Sequence, residues 1–223
     1  MCSVRLLRFC LTLLLAITGP VLAAGEEWRL EKDQDGIQVS TRAVDGWSIR
    51  EMRGTAQFHG RLASLVAVID DVAASPELNE FVMKSSVERR DSDTRYQVYS
   101  LTKMPWPLAD RDVLTQREIV QDETTLEVTI TDAATKDAMP VKNGLVRMTK
   151  SRTRWTLTPT ADGSVSIELR ILSDPGGAIP TSLLNAMSVS APFNMISRLK
   201  KMAQRPQYAQ ARFAFIKEVA AGS

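Results

Sequence analysis

Between residues 165 and 171 apolar and polar side chains alternate: Val165, Ile167, Leu169 and Ile171 against Ser166, Glu168 and Arg170. That period of two predicts a strand with one buried and one wet face. Earlier in the chain, two short extended segments within residues 28–40 flank Asp35-Gly36, a hairpin signal, and residues 49–58 form another strand candidate. The period then changes. Leu62, Leu65, Val66 and Ile69 fall at helical spacing and predict a helix over 61–71. Ser75-Pro76-Glu77-Leu78 restarts a short helix, with Ser75 as cap and Pro76 in the first turn. From there to residue 172 strands dominate, with 96–101, 112–120 and 124–131 the β-rich stretches. Residues 145–157 read as one long strand with polar residues on both faces, which suits a sheet with a cavity on one side and water on the other.

The strongest helix is 181–204, where Leu184, Met187, Ala191, Met195 and Leu199 keep i, i+3/i+4 spacing. Pro192 predicts a kink or break near 188–192, Pro206 ends the helix, and a last short helix is expected within 207–220. Strands, a helix, a run of antiparallel strands and a long final helix make an α+β chain. A curved antiparallel sheet with the long helix in its concavity satisfies that order.

The N-terminus stands apart from these elements. Arg5 and Arg8 precede an apolar run over 9–17, Gly19 and Pro20 follow, and Val21-Leu22-Ala23 supplies small residues at a cleavage position. Residues 1–23 are expected to be a secretory signal peptide cut after Ala23, the apolar run being too short for a transmembrane span. The whole chain has 28 Lys+Arg against 26 Asp+Glu, a formal charge of +2. Losing Arg5 and Arg8 brings the mature chain to balance, which argues against a nucleic-acid partner. Cys2 and Cys10 leave as well, so the mature chain has no disulfide and no thiol chemistry. A periplasmic location is the expectation. With His59 the only histidine, too few ligands remain for a zinc site. There is no nucleophile elbow, phosphate loop or dinucleotide fingerprint.

Three motifs, in order, carry a family resemblance: Pro105-Trp106-Pro107-Leu108-Ala109-Asp110-Arg111-Asp112, then Asn143-Gly144-Leu145-Val146-Arg147-Met148 leading to Trp155-Thr156-Leu157-Thr158-Pro159, then Ser173-Asp174-Pro175-Gly176-Gly177-Ala178-Ile179-Pro180 with the apolar helix behind it. Together they resemble the START domain, the lipid-transfer branch of the helix-grip (Bet v 1-like) fold. The resemblance implies a START-like lipid-binding domain over 24–205, with 206–223 a C-terminal extension. It also implies an internal cavity for a lipid or other apolar molecule, no cofactor and no catalytic residues, and a monomer in transient contact with membranes. Arg111, Val113, Met148, Leu184, Met187, Ala191 and Met195 are the candidate ligand-binding residues. If Arg111 points inward it needs a partner, either an anionic headgroup or an internal carboxylate. The loop 132–143 is a candidate gate or an ordinary β-connection. Leu78 stands where many relatives carry a tryptophan, so the ligand class does not carry over. Two rival readings are an adaptor whose cavity is filled by side chains and an enzyme of the polyketide aromatase/cyclase kind.

Overall fold

The computed structural model describes residues 27–135 and 139–218; the expected signal peptide lies outside them. The strands β1 (Arg29–Gln34) and β2 (Ile37–Arg42) form the expected hairpin. Asp35 and Gly36 turn it with φ values of 53° and 69°, a conformation tolerated by Asp and Gly. Next come β3 (Glu51–His59), α1 (Leu62–Asp70), a 3-10 turn (Val72–Ala74) and α2 (Ser75–Leu78). Then follow β4 (Val82–Arg90), β5 (Arg95–Thr102), β6 (Asp110–Gln121), β7 (Val128–Ala134), β8 (Leu145–Arg147), β9 (Lys150–Pro159) and β10 (Ser164–Asp174). The chain closes with α3 (Thr181–Met202) and α4 (Pro206–Ala209). One sheet runs in the order β1-β2-β3-β10-β9-β7-β6-β5-β4, antiparallel throughout, while β8 lies parallel beside the start of β6. This is the expected α+β architecture, a sheet with a long C-terminal helix on one face.

Four elements differ from the sequence reading. Residues 145–157 are two strands, because β8 and β9 have different neighbours. Leu145–Arg147 pairs with Asp110–Asp112 where β7 has already ended, and β9 then pairs with β7 and β10. The strand expected from 124 starts at Val128, because Asp122 accepts hydrogen bonds from the backbone N–H groups of Thr124 and Thr125 and holds a turn there. α3 runs unbroken through Pro192, which removes only one backbone donor. The last helix spans only Pro206–Ala209; residues 210–218 form an irregular strap.

α3 lies across β2, β3 and β10, and one glycine sets how closely it approaches. A Cβ on Gly54 of β3 would sit 2.6 Å from the Ile196 methyl and 3.2 Å from the Pro192 Cβ. The C-terminal half of α3 is therefore pressed onto the sheet, with Ile196, Leu199 and Met202 fully buried. Lys32 holds its ammonium 3.5 Å above the Phe193 ring. Glu80 accepts from Asn194 and Arg198, both at 2.7 Å, and Glu77 pairs with Arg205.

α1 is buried on every side from Leu62 to Ile69 rather than along one stripe. It packs against α3 and α4, and Phe213, Phe215 and Ile216 of the strap join the same apolar cluster. A buried helix start needs its free N–H groups satisfied. No side chain of its own does this; Glu218 accepts from the backbone N–H groups of Leu62 (3.1 Å) and Ala63 (2.9 Å). The negative carboxylate also complements the positive end of the helix dipole.

Replacing Gly54 by Ala is expected to cost about 1–3 kcal/mol, because neither the backbone of β3 nor Pro192 yields easily. A urea denaturation midpoint equal to wild type would show that α3 can shift on the sheet.

Candidate functional site

The N-terminal half of α3 does not reach the sheet floor, and the gap is a cavity of about 360 Å³. Its floor follows from strand alternation. Ser151, Thr153 and Trp155 of β9 face inward, as do Val113, Thr115 and Arg117 of β6. Ile69 at the end of α1 and Leu78 of α2 close one end. Leu184, Met187, Ser188, Ala191 and Met195 of α3 form the roof. The opening lies between the roof, residues 48–50 before β3, and residues 79–82 after α2; Ser48 and Asn185 are exposed on its rim.

All seven candidate residues line this cavity: Arg111, Val113, Met148, Leu184, Met187, Ala191 and Met195. Arg111 is bonded to backbone carbonyls rather than to an internal carboxylate. It is 2% exposed and, among the described residues, forms no ion pair. Nε donates to Pro175 O (3.1 Å), Nη2 to Gly176 O (3.0 Å) and Nη1 to Ala109 O. Arg111 thus pins the Asp174-Pro175-Gly176-Gly177 turn, whose glycines take φ of 66° and 71°, at the point where the chain enters α3. Its neighbours also pin loops. Asp110 accepts from the Met104 N–H at 2.9 Å. Asp112 receives Arg147 Nε (2.7 Å) and Nη2 (2.9 Å), with the Tyr99 hydroxyl at 3.2 Å.

The internal ion pair of the cavity is one residue pair the sequence reading did not single out. Arg117 donates through Nε and Nη2 to the two oxygens of Asp132, at 2.8 and 2.9 Å. Nη1 donates to the Ile69 carbonyl at 2.6 Å, at the C-terminal end of α1, where a cation is favoured. Burial works against the Arg117 charge, but the carboxylate outweighs it and raises the guanidinium pKa above its free value. Beside it Tyr96 is pushed up to about 12, chiefly by burial, with its hydroxyl on Asp70. Arg117 was legible in principle, since it shares a parity with Val113, Thr115 and Ile119. Asp132, expected in a loop, belongs to β7; of the candidate gate, residues 136–138 lie outside the described residues.

Hydroxyls complete the lining. Ser85 and Ser100 meet at 2.8 Å, Ser151 and Ser173 at 2.7 Å, and Ser188 donates to the Leu184 carbonyl at 2.7 Å. The interior is therefore apolar with self-satisfied polar pairs, suited to an amphiphile with few polar atoms. Among the described residues no cluster of His, Cys, Asp and Glu could hold a metal ion, and His59 lies exposed at the end of β3.

A family model described as the START domain matches residues 18–208. The chain belongs to the START domain family. A STAR-related lipid transfer protein from Xanthomonas axonopodis has the same fold, with a TM-score of 0.72 and 30% identity, covering 80% of this chain and 99% of that one. Human STARD10 follows at 0.71 and 21%, covering 82% and 76%. An uncharacterized Pseudomonas aeruginosa protein is 29% identical over 185 residues, covering 82% of this chain and 90% of its own. The Mus musculus phosphatidylcholine transfer protein is 20% identical over 184 residues, covering 81% and 85%.

Two outcomes follow for this START domain. Asp132→Ala leaves a buried guanidinium unpaired and should cost about 3–5 kcal/mol, whereas adding Arg117→Met should restore part of that loss. Strictly additive effects in urea denaturation would show that the two side chains are not coupled. The Asp112 carboxyl is held below the usual range by hydrogen bonds from Arg147, against its burial. A lowered folded pKa adds stability above the unfolded value of about 3.9, and that contribution is lost as pH falls through the folded value. Asp112→Asn should therefore be less stable than wild type at pH 7, with the gap closing below about pH 4; a gap independent of pH would contradict this.

Proposed function

We propose that this START domain carries one lipid or similar apolar molecule in the cavity beneath α3. It works in the periplasm as a monomer and exchanges its ligand in transient contact with a membrane. The observation that carries the reading is the hollow left by the raised half of α3, in a family whose members hold apolar ligands. Burying ligand carbon there contributes roughly 25 cal/mol per Å² of apolar surface. Met148, Met187 and Met195 offer side chains that adapt to flexible chains. The Arg117–Asp132 pair gives the closed end a polar feature of no net charge, which orients a ligand hydroxyl or carbonyl without demanding a charged headgroup.

The rim supports exchange at the α3 end. The C-terminal half of the helix is tied down by Gly54, Glu77 and Glu80, while residues 184–188 border the opening. Binding without catalysis is the reading the lining favours. Arg111 is bonded to backbone carbonyls, and the Asp132 carboxylate, the base beside Arg117, is engaged at both oxygens by that guanidinium rather than left free for proton transfer.

The test is native mass spectrometry of protein exported from a bacterium with its own leader and purified without detergent. A mature mass beginning at Ala24 with one extra lipid mass is the expected result. Met187→Trp should fold normally and lose that mass, since an indole fills the space under the roof. A bare wild-type protein, still bare after incubation with mixed liposomes, overturns ligand carriage and favours an adaptor.

A further inference from the structure

The face of the sheet that turns away from the cavity carries a row of arginines in excess of the carboxylates beside them. In one rung across the middle of the sheet, Arg53 of β3 stands opposite Arg170 of β10, and Arg170 stands opposite Arg154 of β9. Arg152 lies two positions along β9 on the same face, and Arg42 of β2 sits opposite Glu51 in the adjoining rung. The face is fixed by alternation: Thr153 and Trp155 line the cavity, so Arg152 and Arg154 project the other way.

Like charges directly opposite one another in a sheet are destabilising. The compensation here is partial. Arg42 pairs with Glu51 at 2.6 Å and Arg170 with Glu168 at 2.7 Å. The Trp28 ring lies 4.4 Å from Arg53, 4.6 Å from Arg42 and 5.6 Å from Arg170. Arg152 and Arg154 are exposed, and among the described residues neither forms an ion pair. Five arginines against two glutamates concentrate more positive charge on this patch than the +2 of the entire chain.

From this arrangement we infer that the arginine row is a docking surface for an acidic segment of a partner protein. Adjacent strands are about 4.8 Å apart, so the three opposed guanidiniums span about 10 Å. An extended acidic peptide presents like-facing carboxylates about every 7 Å, within reach of guanidinium forks. The choice of a protein over a bilayer rests on the proposed ligand exchange. The cavity opening is on the other face of the sheet, so a membrane bound by the row would be turned away from the opening. With the opening at a membrane, the row stays free for a second partner.

The experiment titrates the isotope-labelled protein with a short poly-glutamate peptide, following backbone amide shifts, and in parallel measures flotation with phosphatidylglycerol vesicles. Shifts confined to β3, β9 and β10 are expected, with affinity at least about tenfold weaker in Arg152→Ala/Arg154→Ala and unchanged in the control Lys200→Ala/Lys201→Ala. Both Arg152 and Arg154 are exposed, so the variant should fold. No peptide binding, equal loss in both variants, or shifts elsewhere would overturn the proposal. So would vesicle binding abolished by the arginine variant, which would make the row a membrane surface. Peptide binding is read with or without lipid in the cavity, so it stands or falls separately from ligand carriage.

Discussion

The contact between Gly54 and the Pro192–Ile196 turn of α3 sets the geometry on which the site depends. A helix that meets a curved sheet along its whole length leaves no room beneath it. Here one half is brought to van der Waals distance by a residue without a side chain, and the other half stands off. The cavity is the wedge between them. Its size is therefore fixed by the angle of α3, which the Glu77 and Glu80 ties on one side and Lys32 on the other hold at the pressed end. At the raised end, Arg111 locks the turn that precedes the helix.

Charge is handled in the interior by pairing rather than by exclusion. Arg117 joins three elements at once, with Asp132 on β7, the carbonyl end of α1 and its own strand β6. A buried guanidinium without its carboxylate costs several kcal/mol, so the pair fixes the register of α1 over the sheet as well as lining the cavity. The other end of α1 is fixed by Glu218. One short apolar helix thus has an acidic group at its start and a basic group at its end, both supplied by distant parts of the chain.

Much of this was legible in the sequence, where local periodicity and burial agreed. Val165 to Ile171, the 181–204 stripe and the Asp35-Gly36 hairpin each show one clear period. The motifs around Asp110, Gly144 and Asp174 carried the fold further than periodicity did. What was not legible depended on partners far along the chain. The role of Arg111 could not be read because its acceptors are backbone carbonyls, which every residue has. β4, a polar edge strand with two register shifts, lacks an alternating apolar face. The division of 145–157 into β8 and β9 reflects where β7 stops, which no feature of 145–157 encodes. α1 shows apolar residues at helical spacing, but its complete burial depends on a strap more than 140 residues away.

That strap has a consequence for the order in which the fold can be completed. The carboxylate that caps α1 belongs to residue 218, 155 residues beyond the Ala63 N–H that it accepts from, and the neighbours β3 and β10 are separated by about a hundred residues. β3 without its partner strand and α1 without its cap both wait on segments far along the chain. Contacts of such long sequence separation close large loops, so native locking comes late in folding. Late closure is thus a property of sequence order itself, set before any side chain packs.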